Sequence, residues 1–191
     1  NRKLRFLMIV STCYTLAVDI FYEFGPVYLT VKWGLDPAEL IVYNAVLCAA
    51  LALGNGWLST YIGTRVSNRR AICACIGGFA LFLLGIVIAN TPYMMMILLT
   101  LSGFVIGIGV TLLTVKISDA AGETIQGEVM GVQLSLRFLG DAFICVLGGG
   151  FLLISSKLIL VLAALISLSA LSYYTFCRYP HSHISGSNVS S

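Results

Sequence analysis

Six stretches of about 20 mostly apolar residues run through this chain, and each is long enough to cross the hydrocarbon core of a bilayer as a helix. They lie at roughly Leu4 to Val31, Leu40 to Tyr61, Ala71 to Ala89, Tyr93 to Val115, Glu128 to Leu153 and Leu158 to Phe176. Inside lipid, backbone N–H and C=O groups have no water to bond, so such segments must satisfy them internally, as α-helices do. The expected fold is therefore an all-α integral membrane protein with six transmembrane helices. The breaks carry the chemistry that ends helices: Trp33-Gly34-Leu35-Asp36-Pro37, Gly63 to Arg70, Asn90-Thr91-Pro92, Ser118 to Gly127 and Ser155-Ser156-Lys157. Asp36-Pro37-Ala38-Glu39 resembles a helix N-cap with Pro at the first helical position and Glu at the third.

Composition removes the main alternatives. Of 191 residues, 59% are apolar and 10% charged, against about 45–50% and 25% in an ordinary soluble domain. A net charge of +3 is too thin for a nucleic-acid footprint, which needs a dense basic stripe. Cys13, Cys48, Cys73, Cys75 and Cys145 lie inside apolar runs and Cys177 ends one, so they read as small buried hydrophobes. Cys73 and Cys75 would point about 200° apart on a helix, which gives no metal or redox pair. His181 and His183 are too few for a metal site. No His lies in any span, and neither HExxH nor G-x-S-x-G occurs, so neither an enzyme nor a cofactor is expected.

Charge distribution orients the spans. Arg2, Lys3, Arg5, Arg65, Arg69, Arg70, Lys116 and Arg178 fall at one set of span ends, and Lys32 and Lys157 at the other. Lys and Arg concentrate on the cytoplasmic side, so both termini and the loop from Arg65 to Arg70 are expected there. Arg2-Lys3-Arg5 before an apolar run also suits a secretory signal, but five more spans follow and Ser11 to Glu23 is too polar for one. Residues 1–176 read as the transmembrane unit and 177–191 as a short, Ser-rich cytoplasmic tail, expected to be disordered. The chain opens on Asn1, and it is expected to be a segment of a longer protein.

Polar side chains within a bilayer face other helices or a watery cavity. Thr12, Thr15, Asp19, Tyr22, Glu23 and Pro26 share one face of the first span. The second presents Asn44, Cys48 and Asn55; the fourth, Thr100, Gly103, Gly107, Thr111 and Thr114; the fifth, Gln133, Arg137, Gly140, Asp141 and Gly148. The third and sixth have no such stripe, which predicts them at the periphery. At about 1.5 Å per residue, Asp19 lies about 21 Å beyond Arg5 and Asp141 about 20 Å beyond Glu128, at comparable depth. Arg137 and Asp141, four apart, are expected to pair along their own helix. Asp19 has no cation in its own span, which makes it the candidate for a carboxyl that is neutral part of the time.

Gly56-Trp-Leu-Ser-Thr60-Tyr-Ile-Gly63-Thr-Arg65, followed by Arg69 and Arg70, is similar to the cytoplasmic Gly-x-x-x-Asp-x-x-Gly-x-Arg loop of the major facilitator superfamily, with Thr60 at the Asp position. Residues 127–140, with Gly148-Gly149-Gly150, resemble the eleventh helix of that family's drug and sugar efflux branches. With the order of the spans, the chain resembles the C-terminal six-helix half of such a transporter. The resemblance implies two inverted three-helix repeats and proton-coupled secondary transport of a small solute by alternating access. It implies a partner, either the N-terminal half of the same transporter or a second copy, and a plasma or bacterial inner membrane. Asp19, Glu23, Tyr22, Thr15, Asn44, Arg137, Asp141 and Gln133 are the candidates for the proton and solute cavity. Gly56, Gly63, Arg65, Arg69 and Arg70 are those for the loop. The alternative is a non-transporting six-helix subunit or receptor derived from such a half.

Overall fold

A computed structural model of the chain describes residues 2–176; the 177–191 tail, with Cys177, Arg178, His181 and His183, lies outside the described residues. Helices α1 (Arg2–Trp33), α2 (Pro37–Leu53), α3 (Ser59–Arg65), α4 (Asn68–Ile88), α5 (Pro92–Ala121), α6 (Gln126–Ile154) and α7 (Ser156–Phe176) follow one another, and no strand occurs among the described residues. A π-helical turn, Gly54–Leu58, joins α2 to α3, so that Pro37–Arg65 forms one span and the described residues hold six. The Ser59 N–H reaches back to the Gly54 carbonyl, the wider bonding of a π turn.

The helix ends follow local chemistry. Gly34, at φ 64°, stops α1. The Asp36 N–H donates to Glu39 at 3.1 Å as α2 begins on Pro37. Thr91 Oγ1 accepts from the Met94 N–H at 3.3 Å before Pro92. The fourth span runs on past Val115 to Ala121 and ends at Gly122, at φ 74°. Lys116 does not stop it, because its Nζ reaches the Tyr174 hydroxyl at 3.0 Å.

Contacts at the helix ends fix the directions. Phe6 stacks with Tyr173 and Tyr174 at ring separations of 5.1 and 5.9 Å, and Arg69 Nη2 donates to the Thr175 carbonyl at 3.3 Å. The starts of α1 and α4 and the ends of α5 and α7 therefore share one end of the bundle. At the opposite end Lys32 Nζ donates to the Ala89 and Val87 carbonyls at 2.6 and 3.0 Å, capping the C-terminus of α4.

The packing repeats with a two-fold pattern. α1 packs on α7 as α5 packs on α4; α2 packs on α5 as α6 packs on α1; α4 meets α7 and α1 meets α5. Exchanging 2–88 with 92–176 maps this set onto itself, and α1 and α5 run in opposite directions, as two inverted three-helix units require. Tyr14, Tyr28, Phe79, Met95, Ile106 and Leu160 are fully buried between the helices. The Phe79 ring meets Tyr14 and Phe21 edge-on at 5.8 and 5.9 Å, the favoured aromatic geometry.

Cover within these six helices is uneven. α4 and α7 pack against each other and against α5 and α1, and Ser167 Oγ of α7 donates to the Ile76 carbonyl of α4 at 2.9 Å. The least covered spans are the second and fifth: 17% and 6% of their most apolar stretches are buried within the chain, against 61% for the first. A polar stripe shows which face avoids lipid. It does not show which helices lie inside the six, because an apolar face packs on a neighbour as readily as on acyl chains.

The second span is held to α5 by close backbone approach. A Cβ on Gly107 would lie 2.6 Å from the Leu51 carbonyl oxygen and 2.8 Å from the Asn55 nitrogen, and one on Gly103 would lie 2.9 Å from the Leu47 carbonyl oxygen. Thr111 Oγ1 then donates to Asn55 Oδ1 at 2.8 Å. Gly107→Ala should force this crossing apart and cost about 1–3 kcal/mol, read as a lower thermal unfolding midpoint in detergent. Gly56→Ala, with nothing within 4 Å of its Cβ, should not lower it; equal midpoints for Gly107→Ala and wild type would refute the tight crossing.

Candidate functional site

α1 and α6 run in the same direction, and their facing polar residues form successive rungs. Gln133 Nε2 donates to Ser11 Oγ at 2.7 Å. Arg137 donates from Nε to Asp19 Oδ2 at 2.9 Å and from Nη2 to Asp19 Oδ1 at 2.5 Å. The Cys145 thiol donates to Glu23 Oε1 at 3.3 Å. Spacing of four along α6 keeps Gln133, Arg137, Asp141 and Cys145 on one face. Gly140 and Gly148 let Leu16 and Phe24 of α1 press onto the same helix.

The Asp19–Arg137 contact is bidentate, which fits the planar guanidinium to the carboxylate. The Asp19 side chain is 8% exposed and that of Arg137 43%. It is the one ion pair among the described residues. The expected pairing of Arg137 with Asp141 on its own helix is therefore corrected: Arg137 reaches across to α1. Spacing alone could not decide between two carboxyls within reach of a long side chain. Asp141 stands beside the pair, within electrostatic reach of both Asp19 and Arg137.

Three enclosed polar atoms on this seam have no partner: Thr12 Oγ1, Gln133 Oε1 and Asp141 Oδ1. Such atoms are costly away from water. Thr15 is different, since its hydroxyl turns back to the Ser11 and Thr12 carbonyls at 3.0 and 3.1 Å. Tyr22 lies close to Asp19, Arg137 and Cys48 and also lines a small pocket with Phe21, Tyr43 and Asn44. Its volume is about 20 Å³, little more than one water. Glu23 is exposed beyond it. The structure thus gathers Asp19, Tyr22, Glu23, Gln133, Arg137 and Asp141 along one seam, with Asn44 across the pocket. No group of three or more His, Cys, Asp or Glu that could hold a metal occurs among the described residues.

The loop residues lie elsewhere, at the basic end of the bundle. Gly56 sits in the π turn and accepts from Thr60 Oγ1 at 3.0 Å. Arg65 stacks on Tyr61 at 5.2 Å, and Arg69 holds the Thr175 carbonyl. Gly63 has only Leu112 near its Cβ position, at 3.7 Å, and Arg70 is exposed. Sequence reasoning passed over Ser11, Cys145 and Lys32. Ser11 falls on the Thr15 and Asp19 stripe at a spacing of four and could have been included; Cys145 follows Asp141 at the same spacing.

Compared with known proteins, residues 4–189 match the family model of the Major Facilitator Superfamily. The chain is also 28% identical over 116 residues to an uncharacterized MFS-type transporter, YuxJ, of Bacillus subtilis (strain 168). That match covers 59% of this chain and 30% of the relative, so the chain spans less than half of the relative's length.

Because removing Arg137 strands the charge of the buried Asp19, Arg137→Leu should destabilise the folded protein by up to roughly 3 kcal/mol. The double variant Asp19→Asn/Arg137→Leu should lose less than Arg137→Leu alone. Chemical unfolding of the purified variants in detergent checks this, and a double variant no more stable than Arg137→Leu would mean that the two side chains are not coupled.

Proposed function

The chain belongs to the major facilitator superfamily and is an integral, multi-pass membrane protein; on that premise we propose that it forms one half of a proton-coupled secondary transporter. The observation that carries the reading is the Asp19–Arg137–Asp141 cluster on the seam between α1 and α6. Two negative charges held close repel each other, and a proton on one of them relieves that repulsion. Arg137 is held by Asp19 across the seam and has Asp141 one turn along its own helix. A proton arriving on Asp19 weakens the cross-helix pair and leaves Asp141 as the partner for Arg137. The proton is thereby converted into a looser contact between two helices, which is what a coupling residue must achieve.

In this reading the uncovered faces of the second and fifth spans meet an N-terminal half, or a second copy, and the solute binds between the halves near the midplane. Tyr22, Asn44, Gln133 and Glu23 line the cavity and Thr15 shapes it. The end with Arg2, Lys3, Arg5, Arg65, Arg69, Arg70 and Lys116 faces the cytoplasm, in keeping with the distribution of positive charge, so both termini lie there. The host membrane is the plasma membrane or a bacterial inner membrane. The likeness of residues 127–140 to the efflux branches favours outward transport, with protons entering as solute leaves by alternating access.

The test is made on the full-length protein in proteoliposomes with an imposed pH gradient, following collapse of the gradient as a panel of solutes is added. Wild type should give solute-dependent collapse, and Asp19→Asn should reduce it at least tenfold while the protein remains monodisperse. A wild-type rate with unchanged pH dependence in Asp19→Asn would remove Asp19 from coupling.

A further inference from the structure

Cations and acids are segregated at the basic end of the bundle. A helix start is the positive end of its dipole and favours acids, yet α1 opens on Arg2, Lys3 and Arg5, and α4 on Arg69 and Arg70, with no acid in either first turn. α6 starts at the same end and carries Glu128. Asp119, Glu123 and Glu128 all lie around the turn from α5 to α6, and none of them forms an ion pair among the described residues.

The last turn of α7 joins these two starts, tied to α1 through Phe6 and to α4 through Arg69. Two cations converge on it from different helices. The half-buried Lys116 of α5 donates to the Tyr174 hydroxyl, Arg69 donates to the Thr175 carbonyl, and the two charges are within electrostatic reach of each other. Both bonds go to neutral oxygens. Lys32, at the opposite end, has the carbonyls of Ile86, Val87 and Ala89, whereas Lys116 has one hydroxyl among the described residues. That hydroxyl, on the buried Tyr174, accepts from Lys116 and so keeps its own proton to donate. Donors are thus gathered with no charged acceptor. Tyr173 and Phe176 beside them are exposed, as aromatic side chains are at headgroup level, and Leu165 and Leu168 are exposed further along α7.

We propose that Lys116, Arg69 and Tyr174 hold the phosphate of an anionic phospholipid whose acyl chains run along the exposed side of α7. Basic groups between transmembrane helices suit such headgroups. The phosphate supplies the charged acceptor that the three donors lack and relieves the repulsion between the two cations. A zwitterionic headgroup brings an ammonium of its own to the same place. A free phosphate brings the charge without the chains that cover the apolar side of α7. The inference needs only that the chain spans a membrane and is independent of proton coupling.

Native mass spectrometry of the full-length protein in neutral detergent, titrated with phosphatidylglycerol or with phosphatidylcholine of the same chains, reads the affinity for the first lipid bound. Phosphatidylglycerol should bind more tightly, and Lys116→Gln and Arg69→Gln should each weaken it by about fivefold while leaving phosphatidylcholine unchanged. Lys116→Arg should retain it. Arg65→Gln removes the same charge from the same end, where Arg65 stacks on Tyr61, and should leave the affinity for phosphatidylglycerol as it was. An equal loss in Arg65→Gln would mean diffuse attraction in place of a site and would overturn the proposal. So would equal affinity for the two lipids, or undiminished binding in Arg69→Gln, whose exposed side chain keeps the test open if Lys116→Gln does not fold. Displacement of phosphatidylglycerol by inorganic phosphate at equal concentration would assign the site to a soluble anion and overturn the lipid.

Discussion

A carboxylate in the middle of a bilayer keeps its charge only if something opposite stands beside it, and Asp19 finds that partner on another helix. The fifth span is hardly covered by the rest of the chain, with 6% of its most apolar stretch buried. Beside Leu16 and Phe24 seated on Gly140 and Gly148, its ties to α1 are polar: Ser11 with Gln133, Asp19 with Arg137, Glu23 with Cys145. Between transmembrane helices there is no hydrophobic drive to associate, since acyl chains are as apolar as leucine. Association must come from packing, hydrogen bonds and charge. The Asp19–Arg137 pair is therefore more than a decoration on an existing contact; it is a main reason why α6 lies where it does.

The two-fold pattern makes the contrast with the other half of the bundle instructive. α2 meets α5 in the position where α6 meets α1. The first crossing is made by backbone pressed on backbone at Gly103 and Gly107, with the Thr111–Asn55 bond beside it. The second seats Leu16 and Phe24 on Gly140 and Gly148 and adds long polar side chains and an ion pair. Van der Waals contact between backbones offers a single geometry, because nothing in it changes with conditions. A salt bridge can be neutralised by a proton or redirected to a second carboxyl. One topology thus holds a fixed joint and a titratable one, on opposite sides of the same axis.

The number of spans, the polar faces and the clustering of cations at one end were legible in the sequence because each depends on local properties: length, helical period and side-chain charge. The equal depth of Asp19 and Asp141 followed from a constant rise per residue, and both stand within electrostatic reach of Arg137. What spacing could not supply was choice among partners. Arg137 has Asp141 at a spacing of four and Asp19 across the seam, and packing decided for Asp19. The packing of α4 on α7 was hidden for a related reason, since an apolar face gives no sign of whether lipid or protein covers it. The π turn at Gly54–Leu58 was hidden because Gly54-Asn55-Gly56 looks like any flexible stretch until the Gly107 contact demands a wider turn.

The anchoring of α1 decides what opening the ion pair would release. At one end Phe6 stacks on Tyr173 and Tyr174 of α7, and at the other Lys32 and Tyr28 grip the carbonyls that end α4. Between these points Tyr14 donates to the Val105 carbonyl of α5 at 3.4 Å and packs on Phe79 of α4. α1 is thus fastened along its length to three helices that also hold one another. α6 has its seam with α1, a lesser contact with α7 and a slight one with α5. When the charge on Asp19 is removed, the body with fewer remaining constraints is α6, and with it the largely uncovered surface that carries Arg137 and Asp141.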